Sequence, residues 1–245
     1  MTRTRRAFVT LAMLLSLGVT PLAMAQQEDD PWEGFNRHIF SFNDGVDVYV
    51  LEPVAKGWNW AAPKPVQTGV SNFFENLRFP IRFVNDILQG KLIDSAQTLA
   101  RFTVNTMIGG AGFLDPASEI GLKQSNEDFG QTLGVWGVPS GPYLVLPLLG
   151  ASNIRDTGGL VFDSAASITP FFIDGFITLG ARVIDVVNTR AQFLGAVAEA
   201  KAASLDYYVF VRNAYTQRRN ALVKDEDTKD ADTPNDDTLY EYIEP

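Results

Sequence analysis

The 245-residue chain contains no cysteine and a single histidine, His38. The first absence removes disulfides, thiolate nucleophiles and cysteine-based metal sites in one step. The second leaves His38 as the sole base for any Ser–His–acid triad. It stands between Arg37 and Ile39 on a helical stretch, where a polar residue on a helix flank is the plain reading. The G-x-S-x-G elbow is missing as well, since "GASNI" at 150–154 fails at its fifth position. "GGAGF" from Gly109 has neither the P-loop lysine nor the dinucleotide pattern. "DEDTKDADTPNDD" near the C-terminus lacks the glycine and closing glutamate of an EF-hand loop. Nothing here proposes an enzyme, a metal or a cofactor. Basic charge is scarce too. The formal net charge is −9, the wrong sign for a nucleic-acid partner.

What is present divides into three parts. Arg3, Arg5 and Arg6 precede an apolar run from Ala7 to Leu22, followed by "AMA" at 23–25. That is the pattern of a secretory leader over residues 1–25, cleaved after Ala25. The run is too short to span a bilayer, and Pro21 breaks its end. Residues 224–245 carry nine acids against two lysines and read as a solvated, disordered acidic tail. The remainder, 26–223, is rich enough in apolar residues to bury a core.

Within that part the apolar spacing is helical. Trp32, Phe35, Ile39, Phe42 and Val46 recur every three or four residues. Asp30 is the expected cap, with Glu33 completing a capping box, and the helix should close before Pro53. Further helices are expected from Pro65, after Pro80 with Gly90 as C′, and over 91–107 up to Gly109, Gly110 and Gly112. Ser125 and Asp128 form a capping box for a short helix, and Ser152 caps another that runs through Gly158 and Gly159. Two long helices are expected at about 173–203 and 205–223. The one strand-like stretch, "YLVLPLL", is spoiled by Pro147.

Two features stand apart. The helical faces over 160–200 are apolar around well over half their circumference, with few charges. Either they sit mid-core or part of the outside is not in water. Polar residues recur at helical spacing on these apolar helices: Asn36, Arg37 and Asn43 on one, Arg101 and Asn105 on another. A solvent-facing side is the plain explanation. In addition, the apolar segment from Gly130 to Gly159 is jointed by Gly134, Gly137, Pro139, Gly141 and Pro142, which would let a hairpin bend at fixed points or simply form an irregular loop.

"DPWEGFNRHIFSFND", "NFFENLRFP", "DFGQTLGVWGVPSGPYLVLPLLGASNIRD" and "DYYVFVRNAYTQRRN" occur in that order and together resemble the MlaA/VacJ family from Asp30 to about Asn220. The resemblance implies an all-α, ring-like assembly of amphipathic helices around a central channel, with a Gly/Pro-rich apolar hairpin in its wall. It implies a place in the periplasmic leaflet of a Gram-negative outer membrane. Phospholipid that has strayed into the outer leaflet would pass through the channel to a soluble periplasmic carrier. Trimeric porins are the implied membrane partners, and no catalytic step is involved.

On that view Asn36, Arg37, Asn43, Arg101, Asn105, Arg155 and Arg182 are candidates to line the channel. One of the four arginines would pair with the lipid phosphate; Asp156 beside Arg155 offers that arginine an internal partner instead. Gly134, Gly137, Pro139 and Gly141 are the hinge candidates, although Pro139 is stiffer than a hinge requires. Charge reversal such as Arg101→Glu is expected to abolish lipid asymmetry without lowering protein level. Many family members carry an acylated cysteine after the leader, whereas this sequence reads "AMAQQ" there, so retention falls to the apolar belt or a porin. A soluble periplasmic module holding one lipid and a non-transporting membrane scaffold remain the alternatives.

Overall fold

The computed structural model describes residues 30–167 and 175–226. The expected leader, 1–25, and the acidic tail beyond Glu226 lie outside the described residues. Helix α1 spans Glu33–Val46. Asp30 sets its start: its carboxylate accepts from the Trp32 N–H at 3.2 Å, and its carbonyl accepts from Glu33 at 3.1 Å. The expected return bond from Glu33 is not made, because that carboxylate pairs with Arg37 at 2.7 Å. Nor does the helix close before Pro53. A π-turn over Asp47–Leu51 feeds directly into α2, Glu52–Ala61. Pro53 falls in the first turn of α2, directly behind this wider turn.

Helices α3 (Lys64–Leu77) and α4 (Phe79–Leu88) carry Pro65 and Pro80 in their first turns, as expected. Gly90 follows at φ +75°. Helix α5 spans Leu92–Met107 and α6 spans Pro116–Glu119. Helix α7, Phe129–Val135, is capped by Asp128 alone, which accepts from Gln131 N at 2.8 Å. Ser125, the expected partner in that cap, donates to Asp86 at 2.6 Å instead.

Strands β1 (Tyr143–Leu146) and β2 (Gly150–Asn153) then pair antiparallel, Tyr143 opposite Asn153 and Leu146 opposite Gly150. Pro147 lies in the turn between them, where it costs no ladder bond, so the strand it was expected to spoil does form. Helix α8, Ile154–Ala166, is capped by Asn153 and not by Ser152. The expected long helix near 173–203 is two, α9 (Gly175–Gln192) and α10 (Leu194–Ala203), and α11 spans Tyr207–Val223.

The elements touch in a closed circuit. From α1 the contacts pass through the π-turn to α2, then to α9, α3, α4, α7, α11, β2 and β1, and from β1 back to α1. Helix α5 packs on α4 and α3 and carries α6, α8 packs on α7 and α4, and α10 packs on α2 and α9. The fold is therefore all-α and ring-like, with one two-stranded hairpin built into the circuit. Of the two glycines in α8, Gly159 is required: a Cβ there would collide with the backbone of Gly130 on α7. Among the described residues no helix is long and apolar enough to cross a membrane.

Candidate functional site

The distribution of burial is the reverse of that in a water-soluble domain. Among the described residues eight hydrophobic ones are buried, four of them alanines, against sixteen polar or charged ones. Of the eight largest fully buried side chains only Val145 is apolar; the others are Gln67, Gln131, Asn36, Asn85, Asn188, Thr132 and Asp86. Meanwhile Trp60 is 90% exposed, Tyr49 83%, Met107 80% and Ile93 76%. Scattered exposed apolar residues are ordinary, but a polar interior beneath so many of them is not. In an apolar medium, contact between apolar side chains gains little. Helices there are held together by small residues and interhelical hydrogen bonds.

The joints of the ring are made in that way. Asn188 on α9 accepts from Trp58 Nε1 at 2.9 Å and donates to the Gln67 carbonyl at 3.0 Å and to Ser71 Oγ at 2.9 Å. It thus ties α2, α9 and α3 together. Arg190 reaches both oxygens of Asp47, at 2.7 and 3.0 Å, and fixes α9 to the π-turn. Asn85 on α4 donates to Asp163 on α8 at 3.1 Å and accepts from Thr132 on α7 at 2.8 Å. Arg219 on α11 spans Asp128 and Asp156, at 2.9 and 2.8 Å.

The seven sequence candidates separate into distinct settings. Asn36 is buried and behaves as an extra strand partner for the free edge of β1: it donates to the Tyr143 carbonyl at 3.0 Å and accepts from Val145 N at 2.9 Å. Asn43, two helical turns on, does the same at the hairpin tip, donating to the Leu146 carbonyl at 2.9 Å and accepting from Leu148 N at 2.8 Å. Two asparagines on one helix face thus cover a strand edge that would otherwise stay unpaired. Arg37 pairs with Glu33 and Asp206, each at 2.7 Å, and lies over the Tyr208 ring.

Arg101 and Asn105 converge on Asp115, at 2.7 and 2.8 Å. Arg101 also donates to Ser118 and to the Leu122 carbonyl. Burial pushes the Asp115 carboxyl up, but bonds from Ser118, Asn105 and Arg101 hold it below the usual carboxylate value. This cluster lines a cavity of about 430 Å³ whose wall also includes Glu75, Arg82, Phe79 and Phe102. Arg155 is buried against Asp156 at 3.0 Å. Arg182 is exposed and has no ion pair among the described residues.

The hinge candidates differ among themselves. Gly134 lies inside α7, packed on Arg155 and Val223. Gly137, at φ +89° with open space around it, ends that helix, and Gly141, at φ +68°, sits against Ile154. Pro139 is exposed between them. Sequence reasoning missed Gln67, Asn85, Asn188, Arg190, Arg212 and Arg219. Their signal is a lone polar residue in an apolar helix, as in "RVIDVVNTR" at 182–190.

A closed ring of helices with polar joints within and large apolar side chains without defines a helical protein built for apolar surroundings. The chain belongs to the MlaA lipoprotein family, which it matches over residues 28–222. It is 34% identical over 244 residues to the intermembrane phospholipid transport system lipoprotein MlaA of Escherichia coli K12, covering 98% of this chain and 96% of that one. The protein of the same description from Haemophilus influenzae is 36% identical over 228 residues, covering 89% and 90%. A chain solved for the "structural basis for maintenance of bacterial outer membrane lipid asymmetry" superposes with TM-score 0.70 at 38% identity, covering 80% of this chain and 99% of that one.

Proposed function

We propose that the chain is the outer-membrane component of an intermembrane phospholipid transport system. It sits in the periplasmic leaflet, takes phospholipid that has strayed into the outer leaflet through a polar passage, and hands it to a soluble periplasmic carrier. Trimeric porins are its membrane partners in this reading. No catalytic step is needed. A charged head group is costly to carry through hydrocarbon; a polar lining removes most of that cost while the acyl tails stay in the leaflet.

The observation that carries the proposal is the inverted burial: polar side chains fill the interior, and Trp60, Tyr49, Met107 and Ile93 stand outside. Among the lining candidates Arg182 is exposed, whereas Asn36, Arg37, Asn43, Arg101, Asn105 and Arg155 bond to neighbouring groups. Gly137, free of neighbours, is the best placed of the hinge candidates. The 245 residues contain no cysteine to carry an acyl chain. The exposed apolar side chains therefore hold the protein in the leaflet, an assignment supported by the marginal binding that a single acyl chain gives.

Deleting the gene is expected to raise surface-exposed phospholipid and detergent sensitivity, and restoring the chain should reverse both. Unchanged asymmetry in the deletion strain would remove the transport reading. Release of the protein by a carbonate wash would point instead to a soluble lipid-binding module.

A further inference from the structure

A second cavity, about 600 Å³, opens between the base of the hairpin and one face of α11. Arg212, Thr216 and Arg219 follow one another along its wall at helical spacing, with Asp30, Tyr143 and Asn153 also lining it. Both terminal nitrogens of Arg219 donate to Asp128, and its Nε lies 2.8 Å from Asp156. Arg212 is not held in this way. It is only 4% exposed, yet among the described residues its one side-chain hydrogen bond runs from Nε to Asn213 Oδ1 at 3.3 Å. The nearest carboxylate, Asp30, stands 3.9 Å away and already accepts from Asn36, Trp32 and Tyr208.

Of the five N–H donors of that guanidinium, the four on its terminal nitrogens therefore have no protein acceptor among the described residues. A second group at the same place is also unpartnered. The Tyr143 hydroxyl is buried without a hydrogen bond to any described residue, and burial, with the Asp30 charge, pushes its pKa up to about 12, so it stays a neutral donor. Buried donors without acceptors are destabilising, and a buried cation more so. A ligand that brings acceptors into the cavity removes that penalty.

We propose that this cavity is an oxyanion site for a phosphodiester, with Arg212 as its principal donor. Arginine favours phosphate because its planar fork offers paired N–H groups. The Asp30 carboxylate nearby disfavours a doubly charged guest, which selects a phosphodiester monoanion over a dianionic phosphate monoester. If the transport reading above holds, the guest is the phosphodiester of a phospholipid head group. The same chemistry is offered by a free glycerophosphodiester, and the experiment separates the two.

The test uses the purified full chain in detergent, with thermal unfolding measured against three probes: inorganic phosphate, glycerophosphoglycerol, and dihexanoyl phosphatidylglycerol. Binding should raise the Tm on the order of 5 °C at a hundredfold excess over Kd. Arg212→Gln should lose the shift. Thr216→Glu provides the second variant: it places a carboxylate one helical turn from Arg212, within reach of it, so the apo Tm should hold or rise while the probes lose their effect.

A tenfold or greater preference for the short-chain lipid over glycerophosphoglycerol assigns the site to lipid. Equal responses support the oxyanion site and detach it from lipid passage. The proposal is overturned if no probe moves the wild-type Tm, or if Thr216→Glu keeps the full shift. A deletion strain with normal asymmetry would remove the transport function and leave these shifts untouched, so the two failures are distinguishable.

Discussion

Arg101 and Arg212 are both buried arginines on helices, each beside a cavity, and the sequence gives no way to tell them apart. Their surroundings do. Arg101 donates to Asp115, Ser118 and the Leu122 carbonyl, and Asn105 closes the cluster by donating to Asp115 while accepting from Ala117 N. Among the described residues Arg212 has a single long bond to a neighbouring side chain and a distant Asp30. A buried cation whose terminal nitrogens are occupied acts as a bolt. One whose donors face an open cavity is held for something else. The number of occupied donors, more than burial or charge, separates structural arginines from candidate binding ones.

The largest effect should come from breaking the bolt. Arg101→Gln leaves the Asp115 carboxylate without its cation and should cost about 3–5 kcal/mol. Arg212→Gln removes no close pair and should cost less than about 1 kcal/mol. Unfolding in detergent measures both, and equal losses would erase the distinction. The same reasoning revises the expectation for Arg101→Glu: like charges would then face each other at Asp115, and protein level should fall along with any change in lipid asymmetry.

A smaller contrast lies along α1. Asn36→Ala strands the Val145 N–H and the Tyr143 carbonyl in a buried position and should cost about 2–3 kcal/mol. Asn43→Ala acts at the exposed tip, where water can replace the amide, and should cost about 1 kcal/mol or less. Hydrogen exchange reports this locally. Val145 should lose protection in the first variant and Leu148 in the second, while an identical response in both would show that the hairpin moves as one rigid unit.

The helical part of this architecture was legible because its punctuation is local. Pro65, Pro80, Gly90 and the glycines after Met107 each act through their own backbone. The misplaced features depended on partners distant in sequence. Pro147 looked like a strand breaker because nothing local shows that β1 ends at Leu146, one residue before it, to pair with 150–153. Ser125 looked like a cap because nothing nearby in sequence announces Asp86 as its acceptor. The wide apolar faces did signal large side chains left exposed, as Val161, Ile177 and Leu179 are. The polar residues between them were visible as types but not as contacts. Asn36 and Arg182 read alike on paper, and only the fold sets one against a strand edge and leaves the other exposed.

Arg182 sets the lower end of the scale. It lies one turn before Asp185, whose carboxyl burial pushes up and whose ion pair with Arg78, at 3.0 Å, works against that rise. Arg182→Glu adds one repulsion beside a carboxylate that already has a partner, so its effect on stability should stay within about 0.5 kcal/mol. That near-neutrality makes it the cleanest of the lining candidates to test, since abundance and folding stay fixed while the sign of the charge changes. If Arg182 guides head groups, reversing it should raise surface-exposed phospholipid at unchanged protein level, and Arg182→Lys should restore the wild-type value. If surface phospholipid is normal in the reversal, Arg182 leaves the list, and the unfilled donors of Arg212 become the remaining place for a lipid phosphate to be held.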